Sequence, residues 1–384
     1  MKKIIYIFLY YIILFINSNL LSDEKNNILK VGLLAPLSGE YKELGNSLVY
    51  SLQLALDEIN DDKIFIIPRD SGLNNKEMLN NAIKDIRSQG ANIVIGPLSN
   101  DEFEEVKKYN DMTFISPSNI LPEFSDNIIS IGISLESQLL AINNFLKKQK
   151  KNKTVIMFPN NQFTNLIEKK IKKLNLNNFR IFKYNPDPQV LTGEIEILTN
   201  YSQRKKNLEL RKKIFEDKED EQSIKELEKL EQLYTLGNVN FDSVIIIDFG
   251  NNLKSVLTSL IYTDVNEKKV LFTTVNQWFD KSIFVENTIK TLYYPSIDYK
   301  EFQKYNKKYF KKFNSYPSEI TILTYDALGL IYYAWKQNRT LSSTSDFVFK
   351  NKIKGKIGTF SFRDKYVRQE LNIYKIENNQ FIKF

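Results

Sequence analysis

The sequence of 384 residues contains no histidine and no cysteine. Histidine is the commonest general base near neutral pH, cysteine supplies thiolate nucleophiles, and the two are the usual protein ligands of zinc, copper and haem iron. Their absence removes those chemistries and leaves carboxylate, serine and lysine reactions, or magnesium held by oxygen ligands. Disulfides are excluded too, as is the lipid-bearing cysteine of a bacterial lipoprotein. A chain this long buries a large core without such staples and suggests roughly two domains.

What is present is basic. The net charge is +8, from 54 Lys and Arg against 46 Asp and Glu. The basic residues are spread along the chain with acidic ones among them, which describes a solvated surface and not the clustered stripe of a nucleic-acid site. Lys2 and Lys3 precede an apolar run from Ile4 to Ile16 that Asn17, Ser18 and Asn19 interrupt. The run stops short of the ~20 residues of a spanning helix, so residues 1–22 are expected to form a signal peptide, cut after Ser18 or Ser22. The pair Leu20-Leu21 keeps the alternative of an uncleaved anchor, the only membrane contact expected. Either way the body of the protein is exported.

From Ile28 onward short apolar runs alternate with helical patterns, the signature of βαβ units and parallel sheets. Strands are expected at Leu29–Leu34, Ile64–Ile67, Asn92–Ile95 and Met112–Ile115, with helices over about 46–60 and from Met78 to the cap Gly90. The first helix places Leu48, Leu52, Ala55, Leu56 and Ile59 on one face, and the second does so with Met78, Ala82, Ile83 and Ile86. After Ile133 the alternation restarts: helix 136–148, strand 154–158, a helix to Lys173, strand 180–184, then strands 243–247 and 270–273. Two helices follow, 299–313 and 318–335, and strand segments near 358–362 and 371–376. The expected fold is α/β with two Rossmann-like lobes, one from 28–133 plus about 290–345 and the other from 134–289 plus about 346–384.

Residues 190–236 break the rhythm. Ile224, Leu227, Leu230 and Tyr234 recur at helical spacing among Lys and Glu, and Glu216 to Asp220 forms a charged corner. This predicts a helical hairpin inserted in the second lobe, either a solvated face packed on that lobe or a docking surface.

In open α/β sheets ligands bind beyond the carboxyl ends of the strands. The loops there, among them 36–39, 70–72, 96–100, 116–119, 159–163 and 276–278, are rich in Ser, Asn, Gln, Gly and Pro. They offer Ser38, Asp70, Ser99, Ser118 and Asn119 to a small polar ligand in a cleft, with Phe163 and Trp278 to close over it. The same residue types are also favoured helix caps and turn formers. No catalytic residue, metal site or cofactor is assigned: Ser38 lacks a nucleophile elbow, and Asp57 and Glu58 diverge on a helix.

The segments Val31 to Gly39 with Leu44-Gly45, Arg69-Asp70-Ser71-Gly72, Ile95-Gly96-Pro97-Leu98 and Leu323 to Ala327 resemble type I periplasmic binding proteins. The charged insertion followed by Leu236-Gly237 and Phe241-Asp242-Ser243-Val244 resembles, more narrowly, the penicillin-binding protein activator branch. The resemblance spans about 29–384 and implies two lobes around a cleft and a non-enzymatic envelope protein that stimulates a peptidoglycan synthase by contact. The sequence departs from those relatives in lacking the lipid-anchoring cysteine and the helical repeat domain ahead of the module. The alternative is the amino-acid binding subunit of an ABC transporter. There the resemblance calls for a threonine where this chain has Ile120, and an aromatic-Gly pair where it has Phe163-Thr164. A receptor-like sensor domain is a third reading.

Overall fold

The structure is a computed structural model. It describes residues 28–119, 126–174, 176, 178–265, 267–284, 291–356, 358–363, 366–377 and 379–384. The expected signal segment 1–22 and Ile120 lie outside them. The chain divides into two compact units, one of residues to Ser134 plus Lys300–Gln369, the other of Leu135–Tyr299 plus Glu370–Phe384.

The first unit is built on five parallel strands, β1 (Leu29–Ala35), β2 (Ile64–Asp70), β3 (Ile93–Ile95), β4 (Thr113–Ser116) and β5 (Ile128–Ser130), in the order β2-β1-β3-β4-β5. Helix α1 (Lys42–Ile59) starts four residues before the sequence-based boundary. Its first turn is set by backbone bonds to the preceding loop, Lys42 N–H to Gly39 O at 3.3 Å and Gly45 N–H to Tyr41 O at 3.1 Å. A side chain at Gly45 would meet the carbonyl oxygen of Pro36 at 2.0 Å, so glycine there lets the helix approach the strand-end loop. Helix α2 (Lys76–Ser88) is capped by the Asn75 side chain and followed by Gly90 at φ +82°. Leu79, Ala82, Ile83 and Ile86 enter the core with Leu34, Ile67, Val94 and Phe114, while Met78 is only half-buried. Each fully buried aliphatic side chain contributes about 1.5–3 kcal/mol by leaving water. A short helix α3 (Asn100–Val106) follows β3.

The second unit carries α4 (Leu135–Lys148), β6 (Thr154–Pro159), α5 (Thr164–Lys173), β7 (Phe179–Tyr184), α6 (Pro188–Thr199), α7 (Tyr201–Glu216), α8 (Glu221–Glu231), β8 (Ser243–Ile246), α9 (Gly250–Tyr262), β9 (Leu271–Thr274) and β10 (Leu292–Ser296). Its sheet runs β15-β14-β10-β9-β8-β6-β7. The central strands are parallel, but β14 (Asn372–Glu377) pairs antiparallel with β10, and β15 (Gln380–Lys383) pairs antiparallel with β14. A tight link between β14 and β15 permits only that sense, because a parallel pair needs a long crossover.

The remaining elements return to the first unit: α10 (Tyr299–Phe313) begins at the crossing point, and α11 (Thr321–Asn338) packs on α1. Behind them a separate small sheet is formed by β11 (Ile353–Lys354), β12 (Thr359–Arg363) and β13 (Tyr366–Glu370). The crossings therefore fall at Lys300 and Glu370 where the sequence suggested about 290 and 346. β10 is a strand of the second sheet, and β11–β13 pair with one another and pack beside α11. Hydroxyls tie the helices together. Tyr305 donates to Ser51 at 3.0 Å, Ser51 to the Thr321 carbonyl at 2.6 Å, and Tyr309 to Ser47 at 3.1 Å. Burial pushes the Tyr305 phenol up to about 12, so it remains a protonated donor.

Candidate functional site

Because the strands of the first sheet are parallel, the loops after β1, β2, β3 and β4 emerge at one edge, which brings Ser38, Asp70, Ser99, Ser118 and Asn119 to that edge. Their polar groups are largely engaged within it. Asp70 accepts the N–H groups of Leu37 and Gly72, each at 2.9 Å. Burial alone would raise its pKa, but the Ser38 hydroxyl and the backbone donors of Gly72, Leu37 and Ser38 hold it below the ordinary aspartate value. Asp70 thus fastens the loop after β1 to the end of β2. Ser99 caps α3 in a capping box with Glu102, and its hydroxyl donates to Asn74 at 2.7 Å. Ser118 is buried, with its N–H on the Ser116 hydroxyl, whereas Ser38 and Asn119 are exposed. A side chain at Gly132 would meet the Ser118 carbonyl at 1.9 Å, so that glycine lets β5's exit pass the loop.

In the second unit Phe163 and Trp278 follow β6 and β9 at the carboxyl ends of that sheet's parallel strands. Phe163 is 53% exposed, with its N–H held by Asn161 at 2.9 Å. Trp278 is half-buried and sits at φ +50°, a left-handed turn fixed by Asn276, whose side chain accepts the Trp278 N–H at 3.1 Å. At the same edge the buried Tyr184 hydroxyl donates to Asp248 at 2.5 Å. Burial, and then this bond, push the phenol's pKa up. No local sequence signal marks this pair, whose members are far apart in the chain.

The predicted hairpin is present as α7 and α8, joined by a corner at residues 217–220, with Asp220 capping α8. It is pinned by Arg204, a buried residue that the sequence shows only as one cation in a charged run. The guanidinium donates to the carbonyls of Thr199 at 3.1 Å, Asp264 at 3.2 Å and Thr263. Its own carbonyl accepts the Leu236 N–H at 3.0 Å. Asp242, in the Phe-Asp-Ser-Val segment, accepts the N–H groups of Asn152 and Lys153 at 2.8 and 3.0 Å and so clamps the start of β6 beside β8. Both distinctive segments after the hairpin thus have structural roles. Leu208 and Leu230 are buried, whereas Leu210, Ile214 and Ile224 are 52%, 51% and 46% exposed. Basic residues dominate α7 and acidic ones α8.

Residues 28–174 match the profile of the periplasmic binding protein family. No curated protein matches the sequence. Among solved structures the chain is similar to the C-domain of LpoA (YraM) from Haemophilus influenzae, a regulator of PBP1A. The TM-score is 0.62 at 13% identity, covering 92% of this chain and 99% of that one. Against full-length LpoA from the same organism it spans 59% of that protein's length. It is also similar to the branched-chain amino acid binding protein LivJ from Streptococcus pneumoniae in complex with isoleucine, with TM-score 0.53, 16% identity and 93% and 99% of the two chains covered. A putative branched-chain amino acid ABC transporter protein from Rhodospirillum rubrum gives TM-score 0.68 at 11% identity, over 93% and 100%. Binding proteins and a regulator thus share one architecture with this chain, which has the type I periplasmic binding protein fold.

Proposed function

We propose that this protein is a non-enzymatic component of the periplasm that acts by direct contact with a peptidoglycan synthase of the penicillin-binding class, docking through the α7–α8 hairpin. The observation that carries the reading is the hairpin's surface. Leu210, Ile214 and Ile224 stay exposed on two helices of opposite charge bias, on a motif held to its unit by a buried arginine. Each is already about half-buried, so full burial would add roughly half of the ~1.5–3 kcal/mol of a complete transfer from water. The likeness to the LpoA C-domain supports the choice of partner.

The test is capture of penicillin-binding proteins, labelled with fluorescent penicillin, from envelope extract on the immobilised chain, beside a Leu210→Glu/Ile214→Glu variant. Recovery by the native chain and loss in the variant is the expected result. Undiminished capture by the variant rejects the hairpin as the docking surface.

A second reading, a small polar ligand bound at the strand-end loops, is favoured by the exposure of Ser38, Asn119 and Phe163 at those ends. Against it, Asp70 and Ser99 already spend side-chain oxygens on fastening neighbouring loops and capping α3. Thermal-shift measurements with amino acids separate the two. A ligand at a hundred times its Kd adds about 2.7 kcal/mol of stability. Such stabilisation by Leu, Ile or Val, with no penicillin-binding protein captured, would favour the solute-binding reading.

A further inference from the structure

The first unit carries a basic groove that neither reading above uses. It consists of two hollows of about 580 and 750 Å³ that meet at Glu58, Tyr325 and Lys356. Helix α10 lines one hollow with Lys304, Lys308, Lys311 and Lys312, the i, i+4, i+7, i+8 positions of a single helical face. The other is lined by Lys352, Lys354 and Lys356, alternate positions of an extended segment, and by Lys336 of α11. The lining thus holds more ammonium groups than the carboxylates of Asp57, Glu58, Glu301 and Asp326 offset.

The pairing inside the groove shows which charges are committed. Glu58, at the junction, accepts from Lys308 at 3.0 Å, from the Tyr325 hydroxyl and from Lys356. Burial would raise its pKa, but the bonds from Lys356, Tyr325 and Lys308 hold it at about 2, so it is an anion throughout the physiological range. Asp57 takes Lys312 and Glu301 takes Lys304. Asp326 is buried and accepts the Lys356 N–H at 2.8 Å, which fastens the extended segment to α11. Lys311 in one hollow and Lys354 in the other are exposed and have no acidic partner among the described residues.

Between the lysines the lining is apolar: Leu54, Ala55, Ile322, Leu330 and Phe360 are buried at its base, and Ile59 and Tyr333 present partly exposed apolar surface. Of the four phenols in the lining, three are used, Tyr305 on Ser51, Tyr325 on Glu58 and Tyr332 on Asp61, and the ring of Tyr333 is exposed at the rim. An occupant must therefore offer flat C–H faces to the floor and anions at its two ends. An acidic peptide fits poorly, because the N–H groups of Gly355 and Lys356 are spent on Gly358 and Asp326. Its backbone would lie over apolar surface with unpaired polar groups, which is unfavourable. A sugar ring meets the floor with its C–H face and turns its hydroxyls to the rim.

We infer that this groove binds an acidic glycan strand, with its rings over the floor between α1 and α11 and its carboxylates at Lys311 and Lys354. The inference is independent of the hairpin. It is tested by calorimetric titration of the full chain with hexagalacturonate, with the neutral hexamer cellohexaose, and with hexaglutamate. Hexagalacturonate should bind with an affinity that falls as salt rises, and cellohexaose at least tenfold more weakly. The double variant Lys311→Gln/Lys354→Gln should lose tenfold or more in affinity at unchanged melting temperature. Lys307→Gln, on the same helix but outside the groove, should bind as the native chain does. Absence of hexagalacturonate binding, equal binding by the double variant, or binding of hexaglutamate or cellohexaose as tight as that of hexagalacturonate would overturn the inference.

Discussion

Helices α11 and α7 are of similar length and have opposite fates. α11 buries twelve of its eighteen residues, and α7 two of its sixteen. The cause lies in their sequences. TILTYDALGLIYYAWKQN is apolar nearly all round and must be enclosed, whereas YSQRKKNLELRKKIFE offers Leu208 to its neighbour and Arg204 to three carbonyls. α11 is held by packing area and a hydroxyl network, and its few polar side chains arrange the groove beside it. α7 is held mainly near its start, through Arg204 and Leu208, and leaves Leu210 and Ile214 exposed. Stability therefore concentrates in α11 and contact surface in α7.

The sharpest way to break this contrast is to cut into each helix. Trp335→Ala removes the largest fully buried side chain of α11 and should cost about 3–5 kcal/mol, read from urea unfolding of the intact chain. A loss under about 1 kcal/mol would mean that α11 is not the stabilising element described. Arg204→Met leaves buried carbonyls without their donor and should cost about 2–3 kcal/mol. Its mark is local, faster amide exchange across α7 and α8 with the first unit unaffected, and uniform destabilisation would contradict a role for Arg204 in fastening the hairpin alone.

Acid titration sharpens the comparison at α11's polar rim. Lys336 and Tyr332 hold Asp61 at about 2, and Tyr325 contributes to holding Glu58 at about 2, against ordinary values of 3.8 and 4.5. Both folded pKa values are depressed, so the stability they confer is full above about pH 4.5 and is lost as pH falls toward about 2. Their lysine partners are 41–61% exposed, so solvent screens the pairs and each is worth about 0–1 kcal/mol. Glu58→Gln with Asp61→Asn should flatten the acid limb of the stability curve, and an unchanged limb would show that other carboxylates set it. The smallest effect belongs to Leu210→Ala on α7. It should change stability by less than about 0.5 kcal/mol, and a loss above about 1.5 kcal/mol would show that Leu210 is core.

Much of the fold was legible because apolar periodicity is local. Strands β1, β6 and β7 appear where the pattern puts them, and Ala82, Ile83 and Ile86 of α2 face inward as expected, although Leu79 and not Met78 completes that face. β2 runs on through Pro68 because it is the edge strand of its sheet, where a missing N–H costs nothing in the ladder. β5, three residues long, was too short for a period to show. The candidate site was harder to read, since the oxygens that hold a ligand are chemically those that cap a helix or fasten a turn. Ser99 and Asp70 prove to be engaged in that second way, and nothing in their local sequence distinguishes the two.

By itself the sequence determined what this protein cannot use, the chemistry of histidine and cysteine, and where its longer periodic strands and helices and its charged insertion lie, because composition and periodicity are properties of the chain alone. Tertiary structure decided which charges are spent. Lys308 meets Glu58 and Lys312 meets Asp57 across 250 and 255 positions, while Lys311 between them meets no acid among the described residues. A cation's partner is fixed by distance in space, and only the packing of α10 on α1 sets that distance.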